Sequence, residues 1–135
     1  MALLGLPGQA AEGRFYPDTY TYAKGTTDIA VMQRALKAMD RHLTKVWNQR
    51  KTNLPLTHPD ELLILASIVE KETGRASDRP LISAVFHNRL KMGMRLQTDP
   101  TVIYGLGDAF DGNLRRVDLR TDTPYNTYTR GGLPP

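Results

Sequence analysis

Two carboxylates, Glu70 and Glu72, close an almost unbroken apolar run in the stretch LASIVEKETG (Leu65 to Gly74). Desolvating a charged side chain is expensive, so acids in such a setting need a partner or a chemical purpose. An acid at the mouth of a cleft, backed by an apolar helix, has its charged form disfavoured and its pKa raised. It can then still donate a proton near neutral pH, which is what a general acid must do. The bland reading stands beside this one: a salt bridge from Glu70 to Lys71, Arg75 or Arg89, or plain solvent exposure at a helix end.

Helical spacing separates the two acids. Residues three, four and seven apart share a face. Glu70 therefore lies above Leu63, Ala66 and Ser67, with Gly74 one turn further on, a strip mostly of small residues that leaves room for a ligand. Glu72 lies above Leu65, Ile68 and Val69, a bulky strip ordinarily filled by packing. Spacing favours Glu70 for chemistry and does not by itself decide against the salt bridge.

Several elements must hold this helix. Ile29, Met32, Leu36, Met39, Leu43 and Val46 recur at spacings of three and four, one apolar stripe of a helix from Asp28 to about Gln49 that packs into the core together with Trp47. Thr26 or Thr27 can cap it. Thr57, three residues before Asp60, resembles a capping box, and Pro59 fits the first turn of the helix carrying the two acids. That helix is apolar almost all round and predicted to be buried, ending at Gly74 in a left-handed stop. A third helix follows Asp78 and Pro80, buries Ile82, Val85, Phe86 and Leu90, and stops at Gly93. Asp99 and Pro100 predict a cap and first position for a short turn through Tyr104, ended by Gly105 and Gly107. The Tyr-rich FYPDTYTY, with Phe15, Tyr20 and Tyr22, has strand-like side chains, although Pro17 argues against a central strand. The expected fold is α+β: a helix-dominated single catalytic domain over residues 1–135, with short antiparallel strands in the Tyr-rich and turn-rich flanks. Residues 1–11 form an irregular lead-in.

Composition narrows the function classes. The 135 residues are 40% hydrophobic and 24% charged, in the range of a globular domain. Eighteen Lys and Arg against fourteen Asp and Glu give a net charge of +4, which suits an anionic partner. The basic residues are scattered apart from Arg115, Arg116 and Arg120, so nucleic acid is not expected as a partner. The absence of cysteine excludes disulfides and Cys-ligated metals. No run has the length of a bilayer span, and MALLGLPGQA does not have the form of a signal peptide. His42, His58 and His87 lack metal-ligand spacing and read as structural.

Three long motifs in order, ASIVEKETG, FHNRLKMGMRLQTDPTVIYG and YNTYTRGGLPP, resemble the endolytic murein transglycosylase family, also called the YceG-like family. EGRFYPDTY is similar to that family's entrance to its catalytic domain, so the resemblance covers about Glu12 to Pro135. It implies cleavage within peptidoglycan glycan strands, between N-acetylmuramic acid and N-acetylglucosamine, leaving a 1,6-anhydro-muramic end. The family's catalytic glutamate corresponds to Glu70. It also implies an amino-terminal membrane anchor and a small LysM-like module, neither of them in these 135 residues, and a continuation past Leu133-Pro134-Pro135. A fragment of a longer protein is therefore expected, one able to exchange segments between two copies. The implied location is the periplasmic face of the bacterial inner membrane, and the implied partners are glycan strands and the cell-wall synthesis machinery.

Lytic chemistry explains how one acid can suffice. Most glycosidases use two carboxylates. In a lytic reaction the substrate's own acetamido oxygen can stabilise the anomeric carbon, and its C6 hydroxyl can attack with an intramolecular advantage. No metal or organic cofactor is called for. Gln97, Thr98 and Asp99 can hydrogen-bond sugar hydroxyl and acetamido groups, Tyr125 and Tyr128 offer flat faces to pyranose rings, and Asn126 can pair with an acetamide. Asp99 reads equally as a helix cap, and the PYNTYT residues as an ordered polar turn. Arg95 and Arg130 can meet peptide-stem carboxylates. Two other readings remain: a hydrolase in which Asp99 or Asp122 partners Glu70, and a non-catalytic glycan-binding module.

Overall fold

Helices are the whole of the regular structure in the computed structural model, which describes residues 1–135 and contains no strand. The α-helices are α1 (Asp28–Asn48), α2 (Pro59–Glu72), α3 (Arg79–Lys91), α4 (Asp99–Leu106) and α5 (Arg116–Arg120), with short 3-10 turns at Ala2–Leu4, Ala76–Asp78 and Gly107–Ala109. The fold is thus all-α, and the expectation of an α+β domain with antiparallel strands is corrected. None of the helices is long and apolar enough to cross a membrane. The chain divides into two compact units, Met1–Lys51 and Thr52–Pro135.

In the first unit Thr27 caps α1, its hydroxyl accepting from Ala30 N at 3.2 Å. The Tyr-rich segment lies along this helix instead of pairing as a strand. Tyr16 N donates to Ala35 O, Arg34 donates to Thr21 O, and the Tyr20 hydroxyl donates back to Tyr16 O. A strand needs a second strand to satisfy its backbone, and side chains and a helix carbonyl take that place in this unit. The α1 stripe is only partly covered: Ala35 is buried, whereas Met32 and Val46 are each 41% exposed. Trp47 is half-buried beneath the Arg50 guanidinium, which sits 3.7 Å from its ring centroid.

In the second unit α2 packs against α3 and α4. Leu56, Leu65, Ile68, Val69, Phe86, Leu96 and Val102 are its buried apolar core. The start of α2 is held one residue later than Thr57 predicts. His58 Nδ1 accepts from Asp60 N, while the Glu61 carboxylate accepts from the Thr57 and His58 amides. Those amides, Thr57's first, hold the Glu61 carboxyl below its ordinary range. Gly74 is not left-handed either. Thr73 turns extended and its hydroxyl accepts from Arg75 N at 3.0 Å, which ends the helix without a glycine cap. At the far end of α3 the predicted glycine stop does form. Gly93 has φ 66°, Gly93 N donates to Leu90 O and Met94 N to Arg89 O, the Schellman pattern. Of the side chains expected to bury on α3, Phe86 does and Val85 is 41% exposed.

The second strand-like candidate, the turn-rich tail, stops short of a ladder for a visible reason. Gln97 N donates to Thr127 O, but Thr98 N donates to the Thr127 hydroxyl instead of a carbonyl. Backbone pairing ends after one bond.

Candidate active site

Successive turns of α2 place Leu62, Ala66 and Glu70 on one face, and successive turns of α3 place Arg79, Ser83 and His87 opposite them. Between the helices lies a cavity of about 360 Å³, completed by Leu65, Val69 and Pro80. Its lining is mainly apolar, and Glu70 is the one acid in it. Ala66 supplies the small neighbour expected beside Glu70, whereas Ser67 turns its hydroxyl to Ile64 O.

The Glu70 carboxylate is paired. Arg79 Nη2 lies 3.1 Å from Oε1 and 2.8 Å from Oε2. The partner is none of the basic residues that spacing suggested; the turn at Ala76–Asp78 folds the start of α3 back beside the end of α2. The glutamate side chain is 63% exposed and the arginine 45%. The desolvation expected for Glu70 from its apolar setting is therefore not supplied by the chain alone. Exposed pairs of this kind contribute about 0.2–1 kcal/mol, so this one is easily exchanged for another partner.

His87 shares the cavity wall. Its Nδ1 lies 2.8 Å from Ser83 O, and only a ring N–H can donate to a carbonyl. Nδ1 thus carries a proton, and Nε2 is buried without a hydrogen-bond partner. His42 instead lies against Tyr16, ring centroids 4.7 Å apart, and His58 caps α2.

Glu72, about 200° further round α2, belongs to a different cluster. Thr98 Oγ1 donates to its Oε2 at 2.7 Å. Asp99 Oδ1 accepts the Tyr128 hydroxyl at 2.6 Å. Burial first, then the Asp99 hydrogen bond, pushes the Tyr128 hydroxyl up to about 12; the charges of Asp99 and Glu72 add to this and Arg89 opposes it. The guanidinium of Arg89 donates to Leu96 O, and that of Arg95 to Tyr128 O at 3.1 Å. Of the predicted sugar-binding residues, Thr98, Asp99 and Tyr128 thus gather around Glu72, and none lines the Glu70 cavity.

The others divide between display and support. Gln97 is exposed, left-handed at φ 52°, and its side chain makes no hydrogen bond. Tyr125 is half-buried over Gly105 and meets Tyr104 edge-on, centroids 4.9 Å apart. Asn126 is completely buried. Its amide nitrogen lies within 3.2 Å of the Asp118, Leu119 and Thr121 carbonyls, and its oxygen accepts from Tyr128 N, so no polar atom is left for an acetamide. Arg130 is held bidentately by Asp122, both contacts 2.9 Å, which with Thr129 draws the Asp122 carboxyl down to about 2. Neither Asp99 nor Asp122 lines the cavity beside Glu70.

Sequence reasoning missed Arg79 and Ser83, and it passed over His87 as incidental. Their regular spacing of four was visible. Nothing local said that this face meets Glu70.

Fold and cavity define an all-helical domain whose cleft holds a lone acid opposite a lone arginine. The chain belongs to the YceG-like family, whose profile matches residues 2–135. It is 38% identical over 125 residues to the endolytic murein transglycosylase of Bacillus subtilis strain 168, covering 92% of this chain and 34% of that protein. The endolytic murein transglycosylase of Streptococcus pneumoniae serotype 2 strain D39 is 37% identical over 130 residues, covering 92% of this chain and 23% of that protein. The crystal structure of a YceG-like protein from Listeria monocytogenes superposes with a TM-score of 0.70 at 38% identity, over 90% of this chain and 40% of that one. The chain thus spans between about a quarter and two fifths of the relatives it matches.

Proposed function

We propose that this chain is the catalytic part of a lytic transglycosylase that cuts peptidoglycan glycan strands between N-acetylmuramic acid and N-acetylglucosamine. Family membership and the names of its relatives support the reaction class. The observation that carries the mechanism is that Glu70 alone supplies a carboxylate to the α2–α3 cavity. A hydrolase of the usual kind needs a second one across the scissile bond. Glu70 gives its proton to the glycosidic oxygen, the acetamido oxygen supports the anomeric carbon, and Glu70 then takes the proton of the C6 hydroxyl as that oxygen closes on C1. Substrate seated over the apolar wall excludes water and supplies the desolvation that the free chain lacks.

Gln97 and Tyr125 are assigned to direct sugar contact, since the first displays an uncommitted amide and the second a partly open ring. Thr98, Asp99, Asn126 and Tyr128 hold the loops behind them. Strands presented at the outer face of the bacterial inner membrane are the substrate, and docking to cell-wall synthesis enzymes or segment exchange between copies belongs to the same reading. Mass spectrometry of products from purified sacculi tests it. Ends lighter by one water than the hydrolytic product are expected, and reducing ends carrying that water would make the protein a hydrolase.

A further inference from the structure

The Glu70–Arg79 pair raises a difficulty that any acid mechanism must resolve. A carboxylate touching a guanidinium favours its ionised form. As a ligand covers the cleft and water leaves, that attraction strengthens, because the surrounding dielectric falls. A glutamate left facing Arg79 beneath a bound strand would stay charged and have no proton to give. The guanidinium must go elsewhere, and a cation being sealed from water goes to another anion.

We propose that Arg79 is the carboxylate receptor of this site: it exchanges Glu70 for a carboxylate on the muramyl unit, and the exchange releases Glu70 to become the acid. The inference rests on Glu70 being the acid of the proposed reaction. Three features of the cleft support it. Arg79 is the one permanent cation lining the cavity, with Glu70 as its single acid, so a carboxylate entering there has one partner to find. The pair is more than 40% exposed on both sides, so it opens at little cost. A planar guanidinium accepts a carboxylate through two parallel N–H groups, a geometry the contact with Glu70 through Nη2 alone leaves unused.

The proton balance closes. Glu70 takes a proton from solvent as Arg79 turns away, passes it to the glycosidic oxygen, and recovers one from the C6 hydroxyl. When the product leaves, Arg79 returns and that proton goes back to water. The incoming carboxylate has two sources, the lactyl group of a peptide-free muramyl unit or the acids of a peptide stem.

Calorimetric titration of the whole chain with four probes tests this: peptide-free oligosaccharide with free lactyl carboxylates, the same strand as its lactyl amide, and stem-bearing oligosaccharide with its carboxylates free or amidated. Both side chains lie on the surface of their helices, so the variants should keep the wild-type circular dichroism spectrum. Glu70→Gln removes the competing partner and should bind at least one carboxylate-bearing strand five-fold or more tighter than wild type. Arg79→Gln should bind that strand ten-fold or more weaker than Glu70→Gln, Arg79→Lys should recover part of the loss, and the matching amide should bind all four proteins alike. The lactyl or the stem source is named by which amidation abolishes the gain. If Glu70→Gln gains less than two-fold on both strands, or amidation leaves its binding unchanged, the exchange does not occur. These readings are of binding, so they stand or fall separately from turnover by Glu70.

Discussion

The Thr98 hydroxyl lies 2.7 Å from Glu72 Oε2, and with it the residue that precedes α4 is tied to the last turn of α2. Thr98 occupies the N-cap position of α4, where its oxygen would ordinarily accept from the helix. It gives that role up to donate to a charged acceptor 26 residues away. Thr98→Val keeps the shape and removes the bond, and should destabilise the second unit by about 1–2 kcal/mol. Glu72→Gln keeps an acceptor and should cost less than half as much, with strand cleavage retained. Urea midpoints of the two variants check this.

Asn126 carries the tail. Its buried amide group is within bonding distance of three carbonyls at the end of α5 and accepts the Tyr128 amide. Asn126→Ala leaves the part-buried groups it joined to find water instead, so a loss of about 1–3 kcal/mol is expected. Asn126→Asp should be worse, because it turns a carboxylate toward those carbonyls. Thermal unfolding followed by circular dichroism gives the answer.

Gly105 and Gln97 test opposite backbone arguments. A Cβ at Gly105 would meet Tyr125 Cβ at 3.0 Å, and neither atom can swing away. Alanine there gains about 1 kcal/mol of helix propensity and forces Tyr125 aside, so Gly105→Ala should be net destabilising and should weaken strand binding. Gln97 sits at φ 52°, where a side chain is strained. Gln97→Gly should leave stability unchanged or raise it by up to about 1 kcal/mol while lowering turnover. Comparing urea midpoint with kcat/KM separates the two effects.

Much of this was legible in the sequence, and the misses share a cause. The apolar run of α2, the small Ala66 beside Glu70 and the Gly93 stop follow from local spacing and are found, whereas Leu65 and Val69, placed by spacing under Glu72, line the Glu70 cavity. The caps moved by one residue: from Thr57 to His58, where His58 and Glu61 take the first amides, and from Asp99 to Thr98, whose side chains turn to Tyr128 and Glu72 instead of capping α4. Strands at Phe15–Tyr22 failed because they depend on a partner, which spacing cannot supply. Arg79 opposite Glu70, Thr98 on Glu72 and Asn126 under α5 were illegible for the same reason: each depends on how a turn brings remote elements together. Type alone made Asn126 a sugar ligand, and its burial makes it a brace.

The pH dependence of stability should show two shoulders. Asp122 falls from an ordinary 3.8 to about 2, chiefly through Arg130 and then Thr129. The unfolded chain binds that proton first as pH falls, so this contribution is whole above 3.8 and fades toward 2. Tyr128 rises from 10.0 to about 12, so its contribution is whole below 10.0 and is lost as pH climbs through 12. Asp122→Asn should flatten the acid shoulder, which is small because the group is exposed, and Tyr128→Phe the alkaline one. Melting temperature against pH for the three proteins checks both signs.

The most direct measurement is digestion of purified sacculi by wild type, Glu70→Gln and Glu72→Gln, with the new glycan ends identified by mass. Wild type and Glu72→Gln should release 1,6-anhydro-muramic ends, and Glu70→Gln should release at least a hundred-fold fewer while remaining folded. Full activity in Glu70→Gln, or its loss only in Glu72→Gln, would move the acid to the other face of α2 and contradict the assignment of Glu70.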